Sequence, residues 1–417
     1  MTGPITVDAN QGAPCRPGQL TLPLPQPATS RFSIRLHPDY ESIRDECDQW
    51  ALSFFDPSSA HSIRQTYLRS LYPFLCAMFF HCAITRERLV LATNCIVWFF
   101  LFDDTLDEAM EQNADNVIDS LAAVLTTPSS SGFGGASAMG NDLDKSIDER
   151  LLVLAERFRV EVWEKMSKGM SPSYQRRLVG ELMRSIKAMK EMWRIRKGGS
   201  GRRRTWEEMM ELRMADGGGW VVVVMLEYTL GLELPGTGAR ELPGTMGKLM
   251  YELAEEAAKY IVMVNDMFSC GKELAVMDAQ SMVGWLALQQ QEEDGDGKTS
   301  TGCQLTGELL PGSNDDTIYV QQALCKMWDI VQGHERACAE LLLQIQTLAH
   351  DQEGKPCYAQ CLLYAEALCS ALAGDAYWNA TTWRYHGAHP VAWNTFPCYL
   401  TIPSEPIPAL NVLYPRH

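Results

Sequence analysis

The sequence has no excess of positive charge. Its 417 residues include 36 Lys and Arg against 52 Asp and Glu, which gives a formal net charge of −16. A general nucleic-acid-binding protein needs a basic face that neutralises the phosphate backbone. The charge balance therefore argues against that class of protein. An anionic ligand would have to be bound by metal ions or by a few well-placed arginines.

Closely paired cysteines, a secretory leader and a membrane-spanning run are also missing. The 13 cysteines are dispersed, without the spacing of a zinc site, which is typical of reduced thiols in a cytosolic protein. Residues 1–30 are rich in Pro, Gly and Gln and lack the apolar core of a leader. No run reaches the roughly 18–20 apolar residues that cross a bilayer. We therefore expect a cytoplasmic protein that has no nucleic-acid partner and is not stably inserted in a membrane.

Strand periodicity and internal repeats are absent as well, and the apolar residues recur at helical spacing. Tyr40, Ile43, Cys47 and Trp50 show the pattern over the first segment. Residues 221–230 are rich in valine, which would suit a strand, but their surroundings are helical, so we predict a buried helix. The sequence predicts an all-α protein whose ordered part is a single domain.

Composition divides the chain into one domain and two tails. Residues 1–30 are predicted to be a disordered tail, because such a composition buries too little surface to offset the entropy of ordering. Residues 31–390 form the predicted catalytic domain. It contains two Gly-rich or polar insertions, at about 126–142 and 291–316. Residues 391–417 are Pro-rich and are predicted to be an irregular tail.

An acidic cluster follows directly on an apolar run. The run from Cys95 to Phe102 ends in Asp103, Asp104, Asp107 and Glu108. We expect a helix over residues 85–110 that ends at this cluster, and a separate helix over 116–125. Asp103 and Asp107 would then lie one turn apart on one face. Two carboxylates at the edge of an apolar surface suit Mg²⁺, whose shell is often completed by substrate phosphate. A solvated helix end is the alternative.

A second polar group interrupts an apolar helix. Asn265, Ser269 and Glu273 are spaced four and four, so on a helix they share one face over two turns. They offer an amide oxygen, a hydroxyl and a carboxylate, which together form an all-oxygen ligand set for Mg²⁺. The alternative is that this stripe is only the wet side of the helix. The apolar Met267, Phe268 and Cys270 on the other faces argue against that.

In this order, the two groups resemble the aspartate-rich motif and the Asn/Ser/Glu triad of class I terpene synthases of the microbial and fungal type. Further segments match the family's diphosphate-sensing arginine with its linker acid and effector position, its diphosphate-binding lysine, and its C-terminal Arg-Tyr pair with a preceding aromatic. The matching residues are Arg213, Asp216, Gly217, Lys272, Trp378, Arg384 and Tyr385. The resemblance covers roughly residues 35–386.

The resemblance implies a helical bundle around a central apolar cavity that binds three Mg²⁺ ions, with Mn²⁺ as a substitute. Asp103 would be the principal ligand of two ions, with Asp107 as its less certain partner. Asn265, Ser269 and Glu273 would hold the third ion.

The resemblance also assigns the remaining roles. Arg213, Lys272, Arg384 and Tyr385 would bind diphosphate oxygens. Asp216 and Gly217 would transmit diphosphate binding to ionisation. Aromatic faces stabilise cations, and the candidate cavity walls are Phe79, Phe80, Trp98, Phe99, Phe100 and Trp378. Aromatics at helical spacing are usually core residues, so we expect about half of these six to miss the cavity. The basic segment from Arg194 to Arg204 is a solvated loop, a nucleic-acid patch or a lid over the diphosphate.

The implied function is that of a Mg²⁺-dependent terpene cyclase acting on a small-molecule prenyl diphosphate. The enzyme, a monomer or homodimer, would ionise farnesyl diphosphate, close the chain into a sesquiterpene and release diphosphate. A diterpene cyclase using geranylgeranyl diphosphate is the first alternative. A chain-elongating prenyltransferase would need a second aspartate-rich cluster where Asn265, Ser269 and Glu273 stand. A non-catalytic helical binding protein is the remaining alternative.

Overall fold

The structure is almost entirely helical, in agreement with the all-α prediction. It is a computed structural model that describes residues 21–23, 30–55, 61–126, 149–196, 204–234, 244–275, 281–294, 314–352, 354–387 and 399–401. In chain order the helices are α1 (Tyr40–Leu52), α2 (His61–Ser70), α3 (Tyr72–Phe79), α4 (Arg86–Thr126), α5 (Glu149–Arg157), α6 (Glu164–Ser167), α7 (Pro172–Arg196), α8 (Trp206–Asp216), α9 (Gly219–Leu230), α10 (Thr245–Ala275), α11 (Met282–Asp294), α12 (Asn314–Asp351), α13 (Pro356–Thr381) and α14 (Trp383–His386). A π-helical turn, Phe158–Trp163, joins α5 to α6.

Helix α4 differs from the prediction because it does not end at the acidic cluster. It runs for 41 residues, from Arg86 to Thr126, so the two helices predicted over 85–110 and 116–125 are one. No glycine or proline stands between Asp103 and Thr126, and the Leu, Glu, Ala and Met residues of this stretch favour a helix. Asp103 therefore lies in the middle of a long helix.

The first part of α4 is also more apolar than we expected. Within the described residues, Arg86–Leu106 is the helix that meets the length and composition of a membrane span. The prediction that no run reaches this length was therefore wrong. However, 83% of the apolar window is buried inside the protein, which is typical of a core helix.

Gly217 and Gly218 separate α8 from α9, whose first residue is Gly219, and these glycines permit a tight connection. Gly218 has a φ of +67°, a conformation that residues with a Cβ rarely adopt. A Cβ on Gly219 would lie 3.0 Å from the backbone oxygen of Ala258, so this glycine lets α9 approach α10 closely. All twelve residues of α9 are buried, which confirms the predicted buried helix over the valine-rich segment.

The two chain ends depart from the predicted tails. Strand β1 (Thr21–Pro23) pairs antiparallel with β2 (Tyr399–Thr401), although β1 falls in the tail predicted to be disordered and β2 in the tail predicted to be irregular. A pairing between opposite ends of the chain leaves no local signal in composition. After β1, the Ser30 hydroxyl donates a 2.5 Å hydrogen bond to Glu335.

Several boundaries also differ. Helix α11 continues to Asp294 and α12 begins at Asn314, so both edges of the insertion predicted at 291–316 are helical. The interior of that insertion, most of the one at 126–142, and residues 197–203 of the basic segment lie outside the described residues. Helix α13 ends at Thr381, and the Thr382 side chain then caps α14 by accepting a 3.2 Å hydrogen bond from the Arg384 amide.

Helix α10 lies at the centre of the bundle. It contacts α8, α9, α11, α12, α13 and α14, and its buried face is rich in Ala, Val and Met. The small residues permit close helix packing, whereas the Met side chains fill irregular gaps. This arrangement brings one face of α10 opposite α4 and α13, where the cavity described below lies.

A matched pair of glycines tests the packing of α13. Gly374 faces Met78, and a Cβ there would lie 2.6 Å from the Met78 Cβ. Gly374→Ala is expected to lower the free energy of unfolding by about 1–3 kcal/mol through overpacking. Gly180 of α7 has nothing within 4 Å of its Cβ position, so Gly180→Ala should raise it by up to about 1 kcal/mol. Urea unfolding followed by circular dichroism measures the free energy of unfolding of both variants. Equal changes in the two variants would contradict the close packing of Gly374 against Met78.

Candidate functional site

A cavity of about 360 Å³ lies between α3, α4, α7, α8, α9, α10 and α13 and reaches α14. The predicted site residues whose side chains are described all line it: Phe99, Phe100, Asp103, Arg213, Asp216, Gly217, Asn265, Ser269, Lys272, Glu273, Trp378, Arg384 and Tyr385. The side chain of Asp107 lies outside the described part of the chain. The structure thus brings together residues from distant segments, while their individual roles stay predictions.

Two neighbouring aspartates on α4 have different environments. The Asp103 side chain is 36% exposed and faces the cavity. The Asp104 side chain is only 7% exposed and accepts two hydrogen bonds of 2.9 Å from the Arg384 guanidinium. Arg384 also lies 3.8 Å from Asp103. The sequence analysis selected Asp103 and Asp107 because they share a helix face, so it did not predict that Asp104 binds the arginine of α14.

Arg384 is held on several sides. Its Nη1 donates a 3.1 Å hydrogen bond to the Tyr72 hydroxyl, and its guanidinium carbon lies 5.0 Å from the centroid of the Phe100 ring. Burial lowers the pKa of Arg384, but the Asp104 carboxylate outweighs that effect and raises the pKa well above its usual value. The guanidinium is therefore a fixed positive charge at the edge of the cavity.

The polar residues of α10 share one face, as predicted. The Ser269 hydroxyl donates a 2.6 Å hydrogen bond to Glu273 Oε1, so these two oxygens lie close enough to bind one ion. Asn265 Nδ2 donates to the Tyr385 hydroxyl at 2.6 Å and to Asn379 Oδ1 at 3.3 Å. Because the amide nitrogen of Asn265 is used in this way, its amide oxygen is the predicted ligand atom.

Asn379 orients Asn265 and was not found from the sequence. It is 1% exposed, and its own Nδ2 donates to the backbone oxygen and to Oδ1 of Asp375, at 3.0 and 2.9 Å. These bonds leave Asn379 Oδ1 facing Asn265. Four-residue spacing along α13 links Asp375 to Asn379, but only the fold places that pair beside α10.

Arg213 is clamped by two acids. Its guanidinium donates to the carboxylates of Asp216 and Asp266. Asp266 also accepts a 2.7 Å hydrogen bond from the Met282 amide, which ties α11 to α10. Burial lowers the pKa of Arg213, whereas Asp266 and Asp216 raise it well above its usual value. Asp266 was missed because it directly follows Asn265 and points away from the face that the ligand pattern selects.

Lys272 lies between the two acidic groups of the cavity. Burial lowers the pKa of its ammonium, repulsion from Arg384 lowers it further, and Asp104, Asp103 and Glu273 oppose this shift. The opposing carboxylates come from both α4 and α10, so acids from both predicted metal-binding groups act to raise the pKa of Lys272. An added anion would favour its charged form.

The predicted aromatic walls divide into two groups. Phe79, Phe99, Phe100 and Trp378 line the cavity. Trp98 stacks on Phe102 and Phe158 and donates from Nε1 to the Leu154 carbonyl, so it is a core residue. Phe80, which is fully buried against Phe79, is also outside the cavity lining.

Glycines shape the wall opposite α4. A Cβ on Gly217 would lie 2.9 Å from Val262 Cγ1, and one on Gly218 would lie 3.1 Å from Phe99 Cε1. Without side chains here, Phe99 can pack directly against the turn between α8 and α9. The turn next to Arg213 and Asp216 is therefore in contact with an aromatic wall of the cavity.

The donor set fits a hard divalent cation. Asp103, Asn265, Ser269 and Glu273 supply only oxygen atoms, which are the ligands that Mg²⁺ takes. Among the described residues, no three His, Cys, Asp or Glu side chains come together as a metal-binding group. The fit therefore depends on the amide and hydroxyl ligands of α10 as much as on the carboxylates.

The contrast between the two aspartates can be measured as stability. Asp104→Ala removes the carboxylate that compensates the buried Arg384, and we expect a loss of about 3–5 kcal/mol in the free energy of unfolding. Asp103→Ala, at a partly exposed neighbour, should change it by no more than about 1 kcal/mol. Denaturant unfolding of both variants in the absence of metal provides the comparison. Similar losses at the two positions would show that Asp104 is not the structural partner.

Comparisons with known proteins identify relatives of this chain. Residues 94–294 match the family model described as terpene synthase family 2, C-terminal metal binding. The chain is 24% identical over 372 residues to microbial terpene synthase-like protein 13 of Selaginella moellendorffii, with 88% of each chain covered. It is 23% identical over 358 residues to a (3S,6E)-nerolidol synthase of the same organism, with 84% of this chain and 80% of the relative covered.

A solved structure shares the fold. Hedycaryol synthase in complex with nerolidol superposes with a TM-score of 0.58 at 16% sequence identity, covering 85% of this chain and 99% of its own. At that identity the match concerns the fold alone. Together with the family model and the two relatives, it accounts for the helical bundle and for the metal-binding segment. Taken together, these findings support the assignment of this chain as a class I terpene synthase.

Proposed function

We propose that this protein is a terpene cyclase that uses Mg²⁺ to ionise farnesyl diphosphate and to cyclise the resulting allylic cation to a sesquiterpene. The observation that supports the proposal most is the division of one cavity into two chemical regions. Asp103, the α10 ligands, Lys272 and Arg384 form a charged region. Leu75, Phe79, Ile96 and Val222 are among the residues that form an apolar one. A diphosphate with a hydrocarbon chain has the same two parts.

The charged region would bind the diphosphate and the metal. Asp103 would hold metal on α4, while Asn265, Ser269 and Glu273 would hold it on α10. Mg²⁺, when bound, supplies positive charge that stabilises the leaving diphosphate. Lys272 and Arg384 bring positive charge to the same region, and the Tyr385 hydroxyl lies beside Asn265. Because both terminal nitrogens of Arg384 already donate to Asp104, its guanidinium would act on the diphosphate as a fixed positive charge.

The turn after α8 would couple diphosphate binding to ionisation. Arg213 is held by Asp216 and Asp266, and Gly217 accommodates Val262 in direct contact. A diphosphate oxygen at Arg213 would compete with these carboxylates. Asp216 is the last residue of α8 and immediately precedes Gly217. A shift of the Asp216 side chain would therefore move the backbone of the glycine turn.

The apolar region would guide the cation and exclude water. Phe79, Phe99, Phe100 and Trp378 present π-faces, each of which stabilises a nearby cation by roughly 0.5–2 kcal/mol. Trp378 is fixed by a 2.7 Å hydrogen bond from Nε1 to the Ser70 carbonyl. Fixed walls would hold the chain in a conformation from which ring closure follows.

Two observations support a C15 substrate. The cavity volume of about 360 Å³ is near the lower end of the range of about 300–1,000 Å³ for small-molecule sites. In addition, a relative is named nerolidol synthase and a solved neighbour contains nerolidol, a sesquiterpenoid. Both favour a shorter chain over geranylgeranyl diphosphate.

A substrate panel tests the proposal. Purified protein with Mg²⁺ should convert farnesyl diphosphate, in preference to the geranyl and geranylgeranyl compounds, to a cyclic C15 product detected by gas chromatography with mass detection. Addition of EDTA should abolish turnover, and Mg²⁺ should restore it. A C20 product would support the proposed reaction but contradict the proposed C15 substrate. Failure to release diphosphate from any of the three would overturn the proposal.

The α10 ligand assignment has its own test. Glu273→Gln removes a charged ligand, so the Mg²⁺ concentration that gives half-maximal turnover should rise by about tenfold or more. Glu252→Gln on the same helix is the control, because Glu252 pairs with Lys248 at the surface and should leave the Mg²⁺ curve unchanged. If the Mg²⁺ curves of Glu273→Gln and the control superimpose, Glu273 is not a metal ligand.

A further inference from the structure

The junction between α2 and α3, residues 69–72, contacts α14 and the residue that precedes it. The carbonyl of Ser70 accepts a 3.0 Å hydrogen bond from the hydroxyl of Thr382, which lies directly before α14. Two residues after Ser70, the Tyr72 hydroxyl accepts a 3.1 Å hydrogen bond from Arg384 Nη1. The junction therefore holds both the start of α14 and the side chain of its arginine.

The backbone of Leu71 allows the junction to make both contacts. Leu71 has φ +56° and ψ +45°, a left-handed conformation that costs a residue with a Cβ about 1–2 kcal/mol. Among the described residues, it is the only non-glycine residue with a positive φ. Its side chain is largely exposed, so packing of that side chain does not explain the conformation. Strained residues of this kind cluster at functional sites, where the surrounding contacts hold them.

The Thr382 hydroxyl bridges the junction and the first turn of α14. It donates to the Ser70 carbonyl and accepts a 3.2 Å hydrogen bond from the backbone amide of Arg384. A hydroxyl can do both because it has one proton and two lone pairs. Thr382 is buried, so bulk water does not compete for these bonds. One side-chain oxygen therefore fixes the backbone of Arg384 relative to Ser70.

The Tyr72 hydroxyl fixes the other end of Arg384. Tyr72 is fully buried, and its ring lies 4.7 Å from that of Phe100 and 5.7 Å from that of Trp378. Burial raises the pKa of Tyr72 above its usual value, although the charge of Arg384 opposes the shift. The hydroxyl is therefore neutral, and it is held in place by rings on α4 and α13.

The position of the Arg384 charge matters because two carboxylates lie near it. Its guanidinium donates to Asp104 at 2.9 Å and lies 3.8 Å from Asp103, the predicted metal ligand. A guanidinium released from the junction could pair closely with Asp103 and compete with a metal ion there. The contacts of α14 with the junction keep the charge on the side of Asp104, at the edge of the cavity.

We propose that Thr382 and Tyr72 are positioning residues that hold Arg384 where its charge acts on the substrate diphosphate and does not neutralise Asp103. Neither hydroxyl belongs to a residue that lines the cavity, so each acts through Arg384. The proposal rests on the proposed function, because it requires that Arg384 binds a diphosphate.

Thr382 can be tested with a side chain of the same shape. Thr382→Val removes both hydrogen bonds of the hydroxyl, whereas Thr382→Ser retains them. Isothermal titration calorimetry with inorganic diphosphate in the presence of Mg²⁺ measures binding without turnover. We expect Thr382→Val to raise the Kd for diphosphate by about tenfold, and Thr382→Ser to stay within about twofold of the wild type.

The neighbouring threonine is the matched control. The Thr381 hydroxyl donates only to carbonyls of its own helix, those of Tyr377 and Trp378, at 2.8 and 3.5 Å. Thr381→Val should therefore leave the Kd for diphosphate unchanged. A tenfold rise in this variant as well would show that loss of any hydroxyl at the end of α13 weakens binding, which would overturn the role of Thr382.

Tyr72 provides a second variant that keeps the aromatic packing. Tyr72→Phe removes only the hydroxyl that accepts from Arg384, and we expect it to raise the Kd for diphosphate by about threefold to tenfold. Tyr67→Phe is its control, because the Tyr67 ring lies 5.6 Å from that of Tyr72 while Arg384 donates to Tyr72 and Asp104. If Thr382→Val does not fold, the comparison of these two tyrosine variants decides the matter.

The two proposals fail differently. If the wild-type protein with Mg²⁺ neither binds inorganic diphosphate nor releases it from farnesyl diphosphate, the proposed function falls, and the positioning role falls with it. If the wild type does both, but folded Thr382→Val and Tyr72→Phe bind diphosphate as tightly as the wild type, the proposed function stands and only the positioning role is overturned.

Discussion

The ion pair between Arg384 and Asp104 is the contact on which the site most depends. It joins residues 280 positions apart in sequence and fixes the short helix α14 against α4. A buried guanidinium needs a compensating charge, and Asp104 supplies it with two parallel hydrogen bonds. Arg213 is held in the same way by Asp216 and Asp266. The charged end of the cavity is therefore held in place by contacts within the protein itself.

A cluster of aromatic rings transmits this rigidity to the apolar region. Tyr72 accepts a hydrogen bond from Arg384, and its ring lies 4.7 Å from Phe100 and 5.7 Å from Trp378. Trp378 and Thr382 both donate to the carbonyl of Ser70, at 2.7 and 3.0 Å. The residue after Ser70 is Leu71, a non-glycine residue with a φ of +56°. The strained backbone at the junction of α2 and α3 is thus held by hydrogen bonds from α13 and its C-terminal end.

The sequence predicted the helical class and the residues that gather at the cavity, because helical periodicity and motif spacing are local properties. It did not predict the partners that neutralise the arginines. Asp104 and Asp266 each stand beside a predicted ligand on a different helical face, and only tertiary packing brings them to Arg384 and Arg213. The continuity of α4 was missed because an acidic cluster resembles a helix end, although no helix breaker follows it. The pairing of the two chain ends was missed because it is non-local.

Phe99 and Asp103 lie on one uninterrupted helix, α4. Four residues of an α-helix span about 6 Å, so the distance between an aromatic wall and the predicted metal ligand is set by backbone geometry. Exchanging side chains on α4 can alter the width of the cavity but not this spacing. Natural variants that accept longer or shorter chains would therefore be expected to change residues on α3, α9 and α13, while the order of aromatic and acid along α4 is preserved.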